Sequence, residues 1–223
     1  MINPWLWLTL AFIVLNWLAV WFEWRVLNLV SKPAVIAAML AWFASVCACR
    51  APAVWFGIGL VFSLAGDILL ILPNRFFLPG TVAFMLAHIA YIIGFNQPLP
   101  RFDLGMAALL VIFMSLMAMT YAALRRGVRS RPAFRRMAGP LALYSLVISL
   151  MVFSALSTLF RSDWAPGAAG LTASGALLFL FSDILLAVDR FVKPMPPARL
   201  WKRVAYQLGQ LALTAGAMLH FGR

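Results

Sequence analysis

The chain has 223 residues, of which 65% are hydrophobic and only 11% are charged. Soluble globular domains carry about 25% charged residues, so a water-soluble fold could not bury this much apolar surface. The net charge of +12 would suggest nucleic acid in a polar protein, but here the Lys and Arg residues lie between apolar runs. That pattern favours loops at an anionic lipid surface. We therefore predict an all-α polytopic membrane protein that binds membrane lipids and no nucleic acid.

Eight apolar segments approach the roughly 20 residues that a helix needs to cross the hydrocarbon core. The first has no basic segment before it and continues to spanning length, so we interpret it as helix one and not as a cleaved signal peptide. Pro33, Pro52, Pro79 and Pro140 lie near predicted helix starts, where a missing N–H costs little. The predicted spans are residues 4–22, 33–49, 52–73, 78–96, 103–124, 138–160, 167–188 and 200–221, within a single transmembrane domain of residues 1–223.

Basic residues are distributed unevenly between the predicted loops. With eight spans, the odd-numbered loops share one side of the membrane, and the even-numbered loops share the other side with both termini. Fourteen of the 18 Lys and Arg residues fall in or beside the odd-numbered loops, including a cluster between residues 125 and 136. By the positive-inside rule these loops are predicted to be cytoplasmic and both termini non-cytoplasmic.

Two segments of the chain resemble each other. Residues 62–70 in helix three read FSLAGDILL, and residues 179–186 in helix seven read FLFSDILL, each followed by an Arg-Phe pair. Four helices separate the two copies, so both run in the same direction. This spacing indicates a possible parallel duplication of a four-helix unit.

Three ionisable residues lie well inside predicted spans, where they are costly and therefore indicate function. Asp67 in helix three and Asp183 in helix seven lie at equal depth, and His88 lies in helix four on a stripe with Phe84 and Tyr91. Desolvation favours a neutral carboxyl group, and two carboxyl groups close together would divide into one acid and one carboxylate. A metal at these three residues is a minority interpretation because the chain has only two histidines, and we predict no cofactor.

Further polar residues fall on the predicted cytoplasmic side of the spans. Lys32 and Glu23 flank the first cytoplasmic loop, and Tyr144 lies in the cytoplasmic third of helix six. Glu23 is expected to be solvated at a helix end. Glutamines in helix eight are expected to form hydrogen bonds between helices, unless they line the same cavity as the aspartates. The polar residues in the cytoplasmic half of helix eight are Arg203, Tyr206, Gln207 and Gln210.

These features occur in an order that resembles the YhhN-like family of multi-pass membrane proteins, the lysoplasmalogenases, over nearly the whole chain. The resemblance implies hydrolysis of the vinyl ether bond of a lysophospholipid, lysoplasmenylethanolamine or lysoplasmenylcholine. The products would be a fatty aldehyde and glycerophosphoethanolamine or glycerophosphocholine, and the location a bacterial inner membrane. The matching residues are Lys32 and Pro33, Gly66 and Asp67, Phe84, His88, Tyr91, Ser182 and Asp183, Tyr206, Gln207 and Gln210.

The implied reaction agrees with the residues inside the spans. A vinyl ether is cleaved by protonating carbon, forming an oxocarbenium-like cation and adding water, much as two carboxyl groups divide the work in glycoside hydrolysis. One of Asp67 and Asp183 is expected to be the proton donor, while the other stabilises the cation or activates water, and His88 assists as a base. Lys32 and Arg203 are expected to hold the lipid phosphate. The remaining predicted substrate-binding residues are Tyr91, Tyr144, Ser182, Tyr206, Gln207 and Gln210.

Two other functions fit the same pattern. A repeated four-helix unit with polar groups inside the membrane also describes a transporter of a small metabolite or a lipid. A hydrolase of a different lipid bond, an ester or an amide, is the second alternative. Flux across liposomes would indicate a carrier, whereas an enzyme would release product in detergent without a gradient.

Overall fold

The structure is a computed structural model that describes residues 3–47, 52–100, 104–129, 138–195 and 198–222. Within these residues the regular structure is helical, and all eight predicted spans correspond to α-helices. Six helical segments, those built on α1–α4, α6 and α7, are long and apolar enough to cross a membrane. The helices are α1 Pro4–Trp21, α2 Arg25–Cys47, α3 Val54–Ile71, α4 Phe77–Phe95, α5 Leu104–Arg129, α6 Ala138–Ser157, α7 Pro166–Ala187 and α8 Ala198–Phe221.

Short turns of other helical types extend some of these helices. A 3₁₀ turn, Asn74–Phe76, precedes α4, and another, Thr158–Phe160, follows α6. A π-helical turn, Val188–Val192, continues α7. Of the basic cluster that supports the predicted orientation, Arg131, Arg135 and Arg136 lie outside the described residues. The orientation itself stays a prediction.

Helix α2 begins eight residues earlier than its sequence predicted. It starts at Arg25 and contains Pro33 in its interior, so the prediction that Pro33 lies in the first turn is wrong. A proline removes one backbone hydrogen bond but does not end a helix that tertiary contacts support on both sides. Helix α2 has that support because it packs against α1, α3 and α8. Lys32 consequently lies within the helix and is buried, not beside a loop.

The packing of the helices has a regular pattern. In the first half α1 packs against α2, α2 against α3 and α3 against α4, and in the second half α5 to α8 pack in the same order. The halves meet where α4 contacts α6 and where α8 contacts α2. A repeated four-helix unit with an approximate twofold axis would give these contacts, although the duplication itself stays a prediction.

Helices α7 and α8 approach each other through glycines. A Cβ atom built on Gly175 would lie 2.6 Å from the backbone nitrogen of Leu213, and one built on Gly209 would lie 2.9 Å from the carbonyl oxygen of Gly175. No side chain therefore separates the two backbones at this point. Close approach of this kind is a common basis of helix association in membranes, where the lipid supplies little hydrophobic driving force.

We expect Gly175→Ala to lower the free energy of unfolding by about 1 to 3 kcal/mol, because the new methyl group meets backbone that cannot move aside. Gly170→Ala is the matched control on the same helix. A Cβ atom at Gly170 meets nothing within 4 Å, so alanine there should be neutral or stabilising by up to about 1 kcal/mol. Unfolding in detergent, followed by tryptophan fluorescence, measures both variants. Equal stability of the two variants would contradict the proposed packing.

Arg161 links two connections at one end of the bundle, the α4–α5 connection and the α6–α7 connection. Its guanidinium donates hydrogen bonds to the carbonyl oxygens of Phe95 at 2.7 Å and Pro98 at 3.0 Å. It also forms an ion pair with Asp163 at 2.7 Å. The hydrogen bond from Arg161 holds the pKa of the Asp163 carboxyl below its usual value. This contact ties the two connections together at the end opposite the cavity described next.

Candidate active site

One cavity of about 450 Å³ opens at the end of the bundle that carries the α1–α2, α3–α4 and α7–α8 connections. Its volume is within the range of small-molecule sites. Polar side chains from α2, α3, α6, α7 and α8 line the cavity. Its apolar lining residues include Phe77, Met117, Leu141, Ile148 and Leu180.

Asp67 lines the cavity and is bonded by residues of two other helices. Lys32 on α2 forms an ion pair with Asp67 Oδ1, with Nζ at 2.9 Å, and Tyr206 on α8 donates a hydrogen bond to Oδ2 at 3.0 Å. The Asp67 side chain is only 2% exposed and that of Lys32 only 9%. Both carboxyl oxygens of Asp67 therefore have a partner, as a buried ion pair requires.

The Arg203 guanidinium adds a second positive charge near Asp67. It lines the cavity from α8 and interacts electrostatically with the Asp67 carboxylate. Its Nη1 atom is buried and has no hydrogen-bond partner among the described residues. A buried guanidinium nitrogen without a partner is costly, so this atom is suited to bind an anionic group of a ligand.

Asp183 lies on the same cavity but has different partners. Tyr144 on α6 donates a hydrogen bond to Asp183 Oδ2, and His88 Nε2 on α4 lies 3.8 Å from the same oxygen. The distance from His88 Nε2 to the Tyr144 hydroxyl is 3.1 Å. The Asp183 side chain is 15% exposed, so it is more accessible from the cavity than Asp67.

The surroundings of His88 indicate which ring nitrogen carries its proton. The ring is fully buried and packs edge-to-face on Phe179 at 4.8 Å between centroids. Its Nδ1 atom has no hydrogen-bond partner among the described residues. A buried N–H without an acceptor costs more than a bare nitrogen, so we place the proton on Nε2, from which it donates to Tyr144. His88, Tyr144 and Asp183 then form one chain of hydrogen bonds.

The two aspartates occupy corresponding places in the two halves of the bundle. Asp67 on α3 is bonded by a residue of α2 and one of α8, and Asp183 on α7 is contacted by a residue of α6 and one of α4. The chemistry of the partners differs, however. Asp67 has a cationic partner, Lys32, whereas Asp183 is bonded by the uncharged hydroxyl of Tyr144.

Three predicted substrate-binding residues do not line the cavity. Tyr91 donates a hydrogen bond to Gln210 Oε1 at 2.9 Å, and Gln210 Nε2 donates to Ser63 at 2.8 Å. Gln207 donates to Asn16 on α1 at 2.9 Å. These side chains form hydrogen bonds between helices. For the two glutamines, this is the role that the sequence favoured unless they lined the cavity. Ser182 does line the cavity, although its hydroxyl donates to the carbonyl oxygen of Lys202 at 3.0 Å.

Several polar residues that the sequence did not predict as site residues also line the cavity. Asn28 lies one helical turn before Lys32 on α2, and placing the start of that helix at Arg25 would have revealed it. Glu23, Arg199 and Lys202 lie at the cavity opening, but the sequence shows them only as charges near helix ends. Among the residues that the structure describes, no three His, Cys, Asp or Glu side chains group as metal ligands would.

The fold and the cavity together define a helical membrane protein with a cavity that two aspartates line. The chain belongs to the YhhN family, whose model matches residues 27–217. No solved structure matches the chain.

Curated relatives cover a large part of the chain. It is 32% identical to lysoplasmalogenase TMEM86B of Homo sapiens over 164 residues, which are 71% of this chain and 61% of the relative. It is 32% identical to lysoplasmalogenase TMEM86A of Homo sapiens over 168 residues, 72% of this chain and 64% of the relative. A lysoplasmalogenase homolog of Dictyostelium discoideum is 31% identical over 160 residues, 61% of this chain and 50% of the relative. The chain thus spans less than two thirds of the length of these relatives.

Proposed function

We propose that this protein hydrolyses the vinyl ether bond of lysoplasmalogens. The products are a fatty aldehyde and glycerophosphoethanolamine or glycerophosphocholine. The observation that carries the proposal is the cavity that Asp67 and Asp183 line together with apolar side chains. Relatives named lysoplasmalogenase support it.

A lysophospholipid matches the lining of the cavity, which has both apolar and basic side chains. The alkenyl chain would contact apolar residues such as Met117 and Ile148, and the phosphate would bind the basic residues. Lys32 is already paired with Asp67, so of the two residues predicted to bind phosphate, Arg203 is the more available. Its buried, unpartnered Nη1 gains a charge-assisted hydrogen bond when the phosphate binds.

Asp183 is the proton donor in this mechanism. It is the more exposed of the two aspartates, at 15% against 2%, and its hydrogen-bond donor is the Tyr144 hydroxyl and not a lysine. Its proton is transferred to the vinyl carbon that is not bonded to oxygen, and the π electrons form the new C–H bond. The other vinyl carbon becomes an oxocarbenium ion. The Asp67 carboxylate lines the same cavity and stabilises this positive charge.

Water then adds to the oxocarbenium ion. The ionised Asp183 accepts one proton from this water, so that a hemiacetal forms and the carboxyl group is restored. The hemiacetal breaks down when the bond from carbon to the glycerol oxygen cleaves, the glycerol oxygen gains a proton, and the hemiacetal hydroxyl loses one. The balance is one vinyl ether and one water consumed, with one aldehyde and one alcohol formed. His88 and Tyr144 orient Asp183 through their chain of hydrogen bonds.

The test is aldehyde release by the purified protein in detergent. We expect lysoplasmenylethanolamine to give fatty aldehyde and glycerophosphoethanolamine in equal amounts, without any gradient across a membrane. Two lipids with the same headgroup and chain, one with an ester linkage and one with a saturated alkyl ether, should remain intact. Cleavage of the ester lipid, or lipid movement across liposomes without aldehyde release, would contradict the proposal.

A further inference from the structure

We propose that Glu23 forms a subsite for the ammonium group of a zwitterionic lysolipid, so that this residue selects ethanolamine or choline headgroups. The inference rests on the proposed function of the cavity, because it assigns the headgroup end of the same substrate.

Glu23 is the acidic residue of the cavity that has no partner of its own. Three acidic side chains line the cavity, and two of them are occupied, Asp67 by Lys32 and Asp183 by Tyr144. The carboxylate of Glu23 makes no ion pair or side-chain hydrogen bond with the described residues. It lies at the α1–α2 turn, at the same end of the bundle as the first turn of α8, and it is exposed. A carboxylate in this place is free to bind a cation.

The backbone at Glu23 ends helix α1 in a left-handed turn. Its φ angle is 56°, a conformation in which many α-helices end. The next residue, Trp24, is fixed by a hydrogen bond from its nitrogen to the carbonyl oxygen of Ala19 at 2.8 Å. The turn therefore presents Glu23 and Trp24 to the cavity opening in a defined orientation.

The neighbouring side chains complete a site for a zwitterion. Trp24 also lines the cavity and stacks with Phe22 at 5.1 Å between centroids. A carboxylate beside an indole ring is a favourable arrangement for an alkylammonium group. Arg199 and Arg203 line the same cavity from α8 and supply positive charge for the phosphate. A headgroup with phosphate and ammonium groups would thus meet positive charge from α8 and the Glu23 carboxylate at the α1–α2 turn, with Arg25 lining the cavity two residues further along the chain.

The part of the chain that matches the family model does not include Glu23. The family match covers residues 27–217, so the α1–α2 turn precedes it. The inference about Glu23 therefore depends on the cavity of this chain alone.

The experiment compares two lysolipids that differ only in the ammonium group. Lysoplasmenylethanolamine carries it, and the corresponding phosphoethanol lipid has the same phosphodiester without an amine. The protein is purified in an uncharged detergent, so that bilayer headgroups do not compete. We expect the wild-type KM for the amine lipid to be about fivefold lower, which corresponds to about 1 kcal/mol and is typical of an exposed ion pair. In Glu23→Gln this ratio of KM values should fall to about one.

Two further variants separate the charge of Glu23 from its structural role. Glu23→Asp keeps a carboxylate and should keep a KM ratio above one. Asp163→Asn removes a carboxylate at the other end of the bundle and should keep the wild-type ratio. A wild-type ratio of one, or a Glu23→Gln variant that keeps the wild-type ratio, would overturn the proposal.

Binding measurements keep this test independent of catalysis. The alkyl ether analogues of both lipids carry the same headgroups but no vinyl ether, and their Kd values should show the same ratio and the same loss in Glu23→Gln. Absence of aldehyde release with an intact Kd ratio would refute the proposed function and leave the Glu23 subsite supported. Aldehyde release without any headgroup ratio would refute the subsite alone.

Discussion

Replacing Asp183 with asparagine is expected to lower kcat for vinyl ether cleavage about a thousandfold, within the range that a positioned general acid contributes. Asparagine has nearly the same shape and still accepts the hydrogen bond from Tyr144 through its amide oxygen. It cannot, however, transfer a proton to carbon. Aldehyde formation from lysoplasmenylethanolamine under saturating substrate measures the effect. In the proposed mechanism protonation of carbon is expected to be the slow step, so the wild-type rate should also fall in deuterium oxide.

The binding of an uncleavable lipid provides the control for this variant. The Kd of the alkyl ether lysolipid should stay within about twofold to threefold of wild type, because Asp183→Asn removes no group assigned to the phosphate or the chain. A variant that binds this lipid normally and still releases aldehyde at the wild-type rate would remove Asp183 from the mechanism.

Lys32→Met is expected to destabilise the protein by about 3 to 5 kcal/mol, because it leaves the Asp67 carboxylate buried without its cation. The pair is enclosed, with side-chain exposures of 9% and 2%, so solvent cannot replace the lost ammonium group. The double variant Lys32→Met and Asp67→Asn should recover most of this loss, since the uncharged amide still accepts the hydrogen bond from Tyr206. Unfolding in detergent measures the three variants and the wild type as a double-mutant cycle.

Activity in the same set of variants separates stability from chemistry. The double variant should fold and yet release little aldehyde, because the carboxylate that stabilises the oxocarbenium ion is absent. If the double variant is as active as the wild type, Asp67 has only a structural role. If Lys32→Met alone is as stable as the wild type, the ion pair does not hold the two helices as described.

Some features of the site follow from the sequence because they depend on a single helix. Hydropathy places Asp67 and Asp183 at similar depth in α3 and α7, and both line the cavity. The interior of α2 shows the limit of such rules. Pro33 is a local signal for a helix start, but packing of α2 against three other helices overrides it.

Other features depend on how each helix is rotated about its axis, which one sequence does not determine. Tyr91 and Gln210 lie at sequence positions where site residues were expected. The rotation of their helices, however, directs the two side chains toward each other and away from the cavity. The pair of Lys32 and Asp67 joins residues 35 positions apart, a contact set by packing and not by local pattern. Glu23 is exposed at the end of α1, as the sequence predicts, but its position on the cavity depends on how the helices pack.

The glycine contact between α7 and α8 bears on the reaction as well as on stability. Helix α7 carries Asp183, and α8 carries the Tyr206 hydroxyl that is bonded to Asp67. Since their backbones touch at Gly175 and Gly209, there is no compressible layer of side chains between them to absorb a displacement. In the proposed mechanism, the separation of the proton donor from the anionic centre is thus preorganised, and little reorganisation energy would be required when positive charge develops on the substrate.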